Sequence, residues 1–165
     1  MDSIGQADIR DGMTLPAPTP RAPTPRAPTP RAPTPPVALY VHVPFCVSLC
    51  PYCDFVVHAS AAARGPRNWI AAFLGALEAE LHLRADALDR LFGARPPLDS
   101  VYLGGGTPSL LPAEAIASLL YAANDRFGLA AGAEVTLEAN PGPEERGAPT
   151  ALRAAGVTRI SYGAQ

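Results

Sequence analysis

Three cysteines lie close together in the 165-residue sequence, at Cys46, Cys50 and Cys53, with the spacing Cys-x3-Cys-x2-Cys. They are the only cysteines of the chain, and an odd number cannot be fully paired in disulfides. A loop this short can direct three thiolates at one centre. Two centres fit the residues: a 4Fe–4S cluster with one iron left open, or a structural zinc completed by His58.

Other residues that could contact a ligand stand at the ends of predicted strands. The run Gly104-Gly105-Gly106 has no side chains, so its backbone N–H groups could approach a carboxylate, although a tight turn alone would also explain it. Glu138 ends an alternating strand and could accept hydrogen bonds, or simply face solvent. Tyr40 could line a site or belong to the core, and His42 is expected to be a structural histidine.

The elements that must position these residues alternate regularly along the chain. Four short apolar runs predict β-strands, and three longer segments between them predict helices. The first helix has an apolar stripe that includes Trp69, which we assign to the core. This alternation indicates an α/β fold of parallel βαβ units, whose ligands bind at the carboxyl ends of the strands. The predicted strands are 37–43, 98–103, 134–138 and 157–162, and the predicted helices are 66–91, 112–127 and 148–155.

The first 36 residues differ in composition from the rest. They contain a five-residue Pro-Ala-Thr-rich repeat, in which proline fixes φ and removes backbone donors. We therefore predict a disordered tail over 1–36 and one α/β domain over 37–165. Since the sequence stops after the fourth predicted strand, we expect that domain to be truncated.

Composition excludes several classes of function. The net charge is −2 and charged residues make up 17%, which argues against nucleic-acid binding or membrane-surface attachment through bulk charge. No apolar run approaches the roughly 18 residues of a membrane helix, and the first residues show no secretory signal. We expect a cytoplasmic protein without an integral membrane segment.

Four motifs in order resemble those of a known family. The cysteine motif, with Tyr52 just before its last cysteine, resembles the signature of radical S-adenosylmethionine (SAM) enzymes. Together with the later motifs, it resembles the oxygen-independent coproporphyrinogen III oxidase family, in particular its heme-chaperone branch, over about 37–165. The motifs are Tyr40-Val41-His42-Val43-Pro44-Phe45-Cys46 through Cys53-Asp54-Phe55, Tyr102-Leu103-Gly104-Gly105-Gly106-Thr107-Pro108-Ser109, Glu138-Ala139-Asn140-Pro141, and Arg159-Ile160-Ser161-Tyr162-Gly163-Ala164-Gln165.

The resemblance implies a fold and a set of binding residues. The fold would be the N-terminal part of a partial parallel (β/α)6 barrel, here with about four strands and three helices. The three cysteines would hold three irons of a 4Fe–4S cluster, and SAM would chelate the fourth. The residues implied to contact SAM are Tyr40, Gly105, Gly106, Thr107 and Glu138, with Gln165 assigned to a second SAM molecule.

The resemblance also implies two related functions. The oxidase branch decarboxylates propionates of coproporphyrinogen to vinyl groups, whereas the chaperone branch binds heme and passes it to an acceptor protein. The oxidase pattern has a fourth cysteine two positions after the third, and Phe55 stands there in this chain. This difference favours the chaperone branch, with heme or porphyrinogen, an electron donor and a heme acceptor as partners of a full-length form. The sequence does not decide whether that full-length form is an enzyme, and we expect the truncated chain itself to be inactive.

Overall fold

The computed structural model describes residues 33–59 and 68–165 of the chain, which contain six strands, three α-helices and one 3₁₀ helix. The predicted 1–36 tail falls mostly outside these residues. In chain order the elements are β1 (Ala38–Val43), β2 (Phe45–Cys46), β3 (His58–Ala59), α1 (Asn68–Phe92), β4 (Leu98–Gly105), a 3₁₀ helix (Pro108–Leu110), α2 (Ala113–Phe127), β5 (Leu129–Ala139), α3 (Pro149–Ala154) and β6 (Arg159–Tyr162).

The four longer strands form one parallel sheet in the order β1-β4-β5-β6. Helices connect β1 to β4, β4 to β5 and β5 to β6, so each pair of strands is a βαβ unit. The predicted α/β fold with four parallel strands and three helices is confirmed. Because the strands are parallel, their carboxyl ends all meet at one edge of the sheet, and the sequence motifs stand at that edge.

The two faces of the sheet differ in chemistry because side chains alternate along each strand. One face carries the core residues Val43, Val101, Leu103 and Leu137, none of which is more than 1% exposed, and the buried Ile116 of α2 belongs to the same core. The opposite face carries polar and aromatic side chains in lateral register across the sheet. These are Tyr40, His42, Tyr102, Thr136, Glu138, Arg159 and Ser161.

Three local features differ from the sequence expectations. β5 begins at Leu129 rather than at residue 134, and the side chain of Asn124 accepts a hydrogen bond from the Leu129 N–H at the turn before it. The prediction that Trp69 belongs to the core is wrong, since the side chain is at the start of α1 and 59% exposed. The two-residue ladder of β2 with β3 was not predicted, because strands this short carry no periodic pattern.

Among the described residues, no helix combines the length and the apolar character that crossing a bilayer would require.

Candidate functional site

The cysteine loop is fixed to the sheet at both of its ends. It leaves β1 through β2, which begins at Phe45, and it returns through β3, where the N–H of His58 donates to the carbonyl of Pro44 at 2.6 Å. Within the loop, the N–H of Cys53 donates to the carbonyl of Cys50 at 3.1 Å and closes a tight turn. The β2–β3 ladder therefore holds the loop against the carboxyl end of β1.

The three cysteines are free thiols of intermediate exposure. The pKa of the Cys46 thiol is raised mainly by its burial and also by the nearby Cys53 and Cys50, while a hydrogen bond from Thr107 acts in the opposite direction. Burial and the two neighbouring cysteines both disfavour the Cys46 thiolate on its own, and a cationic metal centre removes that penalty. The donor set therefore fits an iron–sulfur cluster.

The alternative zinc site is not assembled. In residues 33–59 and 68–165, no three His, Cys, Asp or Glu side chains are gathered so that they could hold one metal ion. His58 is exposed and lies in β3. A cluster distributes its three thiolates over three separate irons, so it does not need them around a single ion.

The glycine run lets β4 pass directly against the cysteine loop. A Cβ on Gly106 would lie 2.6 Å from the Phe45 carbonyl and 3.0 Å from Cys46 Sγ. Gly105 has a φ of +109°, and a Cβ there would meet the His42 ring at 2.5 Å. Glycine is required at both positions, once for close approach and once for backbone conformation.

The backbone N–H groups of this run are already engaged within the protein. Gly105 N donates to Glu138 Oε2 at 3.0 Å, Gly106 N to the Val43 carbonyl at 2.8 Å, and Thr107 N to the Phe45 carbonyl at 2.6 Å. The N–H groups of Gly105, Gly106 and Thr107 therefore have acceptors within the protein, and their contact with a ligand carboxylate stays a prediction. They tie the end of β4 to β1, to the cysteine loop and to β5.

Glu138 is the centre of the polar face at this edge. Its Oε1 accepts from the Tyr102 hydroxyl at 2.7 Å and its Oε2 accepts from Gly105 N, so both oxygens are oriented by β4. The pKa of Tyr102 is raised, mainly by the hydrogen bond from its hydroxyl to Glu138 and also by burial. The Tyr40 ring stacks on Tyr102 with centroids 6.1 Å apart, and it is 56% exposed, so it is not a core residue.

His42 links this aromatic pair to the cysteine loop. Its Nε2 lies 2.8 Å from the Val56 carbonyl, which can only accept, so Nε2 carries the proton in this contact. In the neutral ring Nδ1 then accepts from the Tyr40 hydroxyl at 3.1 Å. Both ring nitrogens are satisfied, in agreement with the expected structural role.

A second set of polar side chains, Thr107, Asn140, Glu145 and Gln165, lies where β4, β5 and β6 end. The sequence predicts no role for Asn140 or Glu145. Asn140 follows β5, and its Nδ2 lies 3.2 Å from Thr107 Oγ1 and 3.0 Å from Glu145 Oε1. Gln165 donates from Nε2 to Asn140 Oδ1 at 3.2 Å. Asn140 belongs to the Glu138-Ala139-Asn140-Pro141 motif, and no local pattern indicates Glu145, which lies in a turn after β5.

A cavity of about 180 Å³ opens at this edge, between the ends of β4, β5 and β6. It is lined by Gly106, Glu138, Ala139, Asn140, Ser161, Tyr162 and Gly163. Small-ligand sites occupy about 300–1,000 Å³, so this cavity matches part of such a ligand. A larger cavity of about 770 Å³ lies beside β1 and α1, with a mainly aliphatic lining, and only Tyr40 and His42 connect it with the residues above.

The structure thus gathers most of the predicted site residues at one edge of the sheet. Cys46, Gly105, Gly106, Thr107 and Glu138 are joined by direct contacts, and Gln165 is joined through Asn140. Tyr40 and Gln165 are not adjacent, because β1 and β6 are the two outer strands. A thiol loop, a carboxylate and a small cavity at the carboxyl ends of parallel strands can bind a metal cluster beside a polar ligand.

Known proteins resemble this chain over the same region. The family model of the radical SAM superfamily matches residues 40–165. The heme chaperone HemW of Mycobacterium tuberculosis (strain ATCC 25618 / H37Rv) is 46% identical over 132 residues, which are 79% of this chain and 32% of that protein. HemW of Escherichia coli (strain K12) is 38% identical over 130 residues, again 79% of this chain and 32% of the relative.

Relatives that carry an oxidase name are similar too. The oxygen-independent coproporphyrinogen III oxidase of Bradyrhizobium diazoefficiens is 34% identical over 128 residues, 78% of this chain and 27% of that protein. Among solved structures, coproporphyrinogen III oxidase (HemN) from Escherichia coli, described as a radical SAM enzyme, superposes with a TM-score of 0.67 at 34% identity. That match covers 82% of this chain and 29% of HemN.

The chain spans about a third of the length of the heme chaperones that it matches. The family match covers all four motifs, the three cysteines and the carboxyl edge of the sheet. A superfamily of this kind implies a 4Fe–4S cluster and SAM in general. On this evidence the chain belongs to the radical SAM superfamily.

Proposed function

We propose that this chain binds a 4Fe–4S cluster through Cys46, Cys50 and Cys53, with SAM beside it, and that it serves heme handling of the chaperone type. The observation that carries the cluster assignment is the contact of the Cys46 thiol with the end of β4. The sulfur lies 3.8 Å from Thr107 Oγ1 and beside Gly106, where a Cβ would come within 3.0 Å. The thiol is thus held at the strand edge where the cavity opens.

The same edge offers groups for SAM. The Glu138 carboxylate is held in place by two donors and borders the cavity, so it can accept hydrogen bonds from an ammonium or a ribose hydroxyl. Tyr40 lies on the β1 side, stacked on Tyr102, and Thr107 and Gln165 follow the ends of β4 and β6. When bound, the reduced cluster supplies one electron for the cleavage of SAM, and the protein's task is to orient both groups and exclude water.

Heme handling rather than decarboxylation is favoured by the cysteine loop. Phe55 occupies the position at which the oxidase pattern has a fourth cysteine, and it is 67% exposed. Relatives named heme chaperones range from 32% to 46% identity and the Bradyrhizobium relative named an oxidase is 34% identical, so the preference rests on the cysteine loop. The chaperone-named and the oxidase-named relatives both support a heme or porphyrin ligand. As protein partners we propose a heme acceptor and an electron donor. Three accessible thiols that bind iron require a reducing compartment, so we propose the cytoplasm.

Oxidative decarboxylation of coproporphyrinogen III remains the second candidate. It is favoured by the superposition on HemN of Escherichia coli, a coproporphyrinogen III oxidase. The two functions are distinguished by product, because only the oxidase makes a vinyl group from a propionate.

Anaerobic reconstitution of the full chain with iron and sulfide tests the cluster. We expect a brown protein with absorption near 400 nm and about four irons and four labile sulfides per chain. Cys46→Ser, Cys50→Ser and Cys53→Ser should each lower the iron content severalfold, while the matched variant His58→Ala should not. A colourless protein with one zinc ion that is lost in His58→Ala would contradict the proposal.

The reconstituted chain then separates the two functions. We expect hemin to bind with a defined Soret shift and to pass to apomyoglobin as a model acceptor. Incubation with coproporphyrinogen III, SAM and a low-potential reductant should yield no vinyl product by mass spectrometry. Vinyl product would instead establish the oxidase, and the absence of saturable hemin binding would count against the chaperone role of this chain.

A further inference from the structure

The Thr107 hydroxyl lies in an unusual position between the cysteine loop and β5. The side chain is 1% exposed, so solvent does not compete for its hydrogen bonds. Its Oγ1 is 3.8 Å from Cys46 Sγ and 3.2 Å from Asn140 Nδ2. A hydroxyl has one proton to donate, and its neighbours decide where that proton goes.

The direction of these hydrogen bonds follows from Asn140. One proton of Asn140 Nδ2 is donated to Glu145 Oε1 at 3.0 Å, which fixes the amide nitrogen on that side because a carboxylate oxygen accepts. The second proton of Nδ2 points to Thr107 Oγ1. The Asn140 oxygen is occupied as well, since it accepts from Gln165. Thr107 must therefore accept from Asn140, and its own proton is directed at the Cys46 sulfur.

Glu145 is itself fixed by the backbone. Its N–H donates to the Gly142 carbonyl at 3.0 Å, and its carbonyl accepts a hydrogen bond from the Ser109 hydroxyl. The chain of contacts Glu145–Asn140–Thr107–Cys46 thus starts at an anchored turn and ends on a sulfur. Its longest single step, from Thr107 to Cys46, joins residues 61 positions apart in the sequence.

We propose that Thr107, oriented by Asn140, is a positioning residue that tunes the reduction potential of the cluster through Cys46. This inference rests on the proposed function, because it requires that Cys46 is a cluster ligand. Hydrogen bonds to cluster sulfurs are one of the ways in which a protein sets this potential. The donated proton stabilises the more negative reduced form more than the oxidised form, so the Thr107 hydroxyl makes the cluster easier to reduce.

The experiment is a redox titration of the reconstituted full chain, followed by electron paramagnetic resonance. Thr107→Val keeps the shape and removes the donor, and Thr107→Ser keeps the donor. We expect the potential of Thr107→Val to be more negative, by about a tenfold change in the reduction equilibrium or about 59 mV for one electron. Thr107→Ser should titrate near the parent, as should Ser118→Ala, a control on α2 whose hydroxyl donates to the Glu114 carbonyl of the same helix.

The results separate this inference from the proposed function. A parent that binds no iron and sulfide would contradict both. A parent and a Thr107→Val variant with equal iron content and equal potentials would overturn only the role of Thr107. If Thr107→Val loads poorly, Asn140→Leu tests the same idea, since it frees the Thr107 proton to turn away from sulfur. A potential in Asn140→Leu equal to that of the parent would overturn the inference.

Discussion

The hydroxyl of Tyr102 on β4 donates a 2.7 Å hydrogen bond to the carboxylate of Glu138 on β5, at the edge where the cysteine loop also ends. The other oxygen of Glu138 accepts from the backbone of Gly105. The carboxylate is thereby oriented before any ligand arrives, and a preorganised acceptor loses little entropy on binding. This relationship makes the strand end suitable for a cationic or hydroxyl-bearing ligand.

Glu138→Gln should weaken SAM binding to the reconstituted chain by about tenfold or more, because a charge-assisted hydrogen bond contributes about 1.5–3 kcal/mol. Isothermal titration under anaerobic conditions measures the change. Glu134→Gln is the matched control, since Glu134 lies in the middle of the same strand, four residues before Glu138, where it accepts from Thr136 and pairs with Arg159. Equal affinities for parent and Glu138→Gln would remove Glu138 from the binding site.

The pH dependence of stability should reveal the Tyr102–Glu138 hydrogen bond. The pKa of Tyr102 in the folded protein is raised above its ordinary value of 10.0, first by that bond and then by burial. Its stabilising contribution is therefore complete below about pH 10, and it is lost as the pH rises through the folded-state pKa. Urea unfolding from pH 8 to 11 should show a smaller alkaline loss of stability in Tyr102→Phe than in the parent. Tyr121→Phe, exposed on α2, should follow the parent.

Gly105→Ala should destabilise the fold by about 2 kcal/mol or more, because its φ of +109° disfavours a side chain and the new Cβ would meet the His42 ring at 2.5 Å. The matched control is Gly75→Ala in the exposed part of α1, where a Cβ has nothing within 4 Å. That substitution should stabilise the protein by about 0.5–1 kcal/mol. Chemical denaturation compares the two, and similar effects in both variants would contradict the geometry.

Arg95 should contribute far more to stability than Arg84. The Arg95 side chain is only 7% exposed, pairs with Asp89 at 2.6 Å, donates to the Arg126 carbonyl and lies over the Phe127 ring. Truncation removes a buried guanidinium that packs on Phe127 and leaves the part-buried Arg126 carbonyl without this donor, so Arg95→Ala should cost about 1–3 kcal/mol of unfolding free energy. Arg84 makes an exposed i,i+4 pair with Glu80, and Arg84→Ala should stay within about 0.5 kcal/mol. Equal losses of unfolding free energy in Arg95→Ala and Arg84→Ala would show that the Arg95 contacts contribute no more to stability than an exposed ion pair.

The fold could be read from the sequence to a large extent. The four strands at 37–43, 98–103, 134–138 and 157–162 were predicted because each is an apolar run between turn residues, and their periodicity is local. The three cysteines were likewise identified by spacing alone as a metal-binding set, and their role as ligands stays a prediction. The boundary of β5 and the exposure of Trp69 were missed, since both depend on packing with distant parts of the chain.

What only the tertiary structure decided concerns the groups that touch across strands. Strand order and lateral register decide three sets of contacts. They give the N–H groups of Gly105, Gly106 and Thr107 acceptors within the protein and place His42 against Val56. They also let Asn140 join Glu145 to Thr107. Several of these partners stand more than thirty positions apart, and no local pattern encodes such a pairing. The sequence by itself determined which residues could bind; the parallel sheet, by bringing its strand ends to one edge, decided which of them meet.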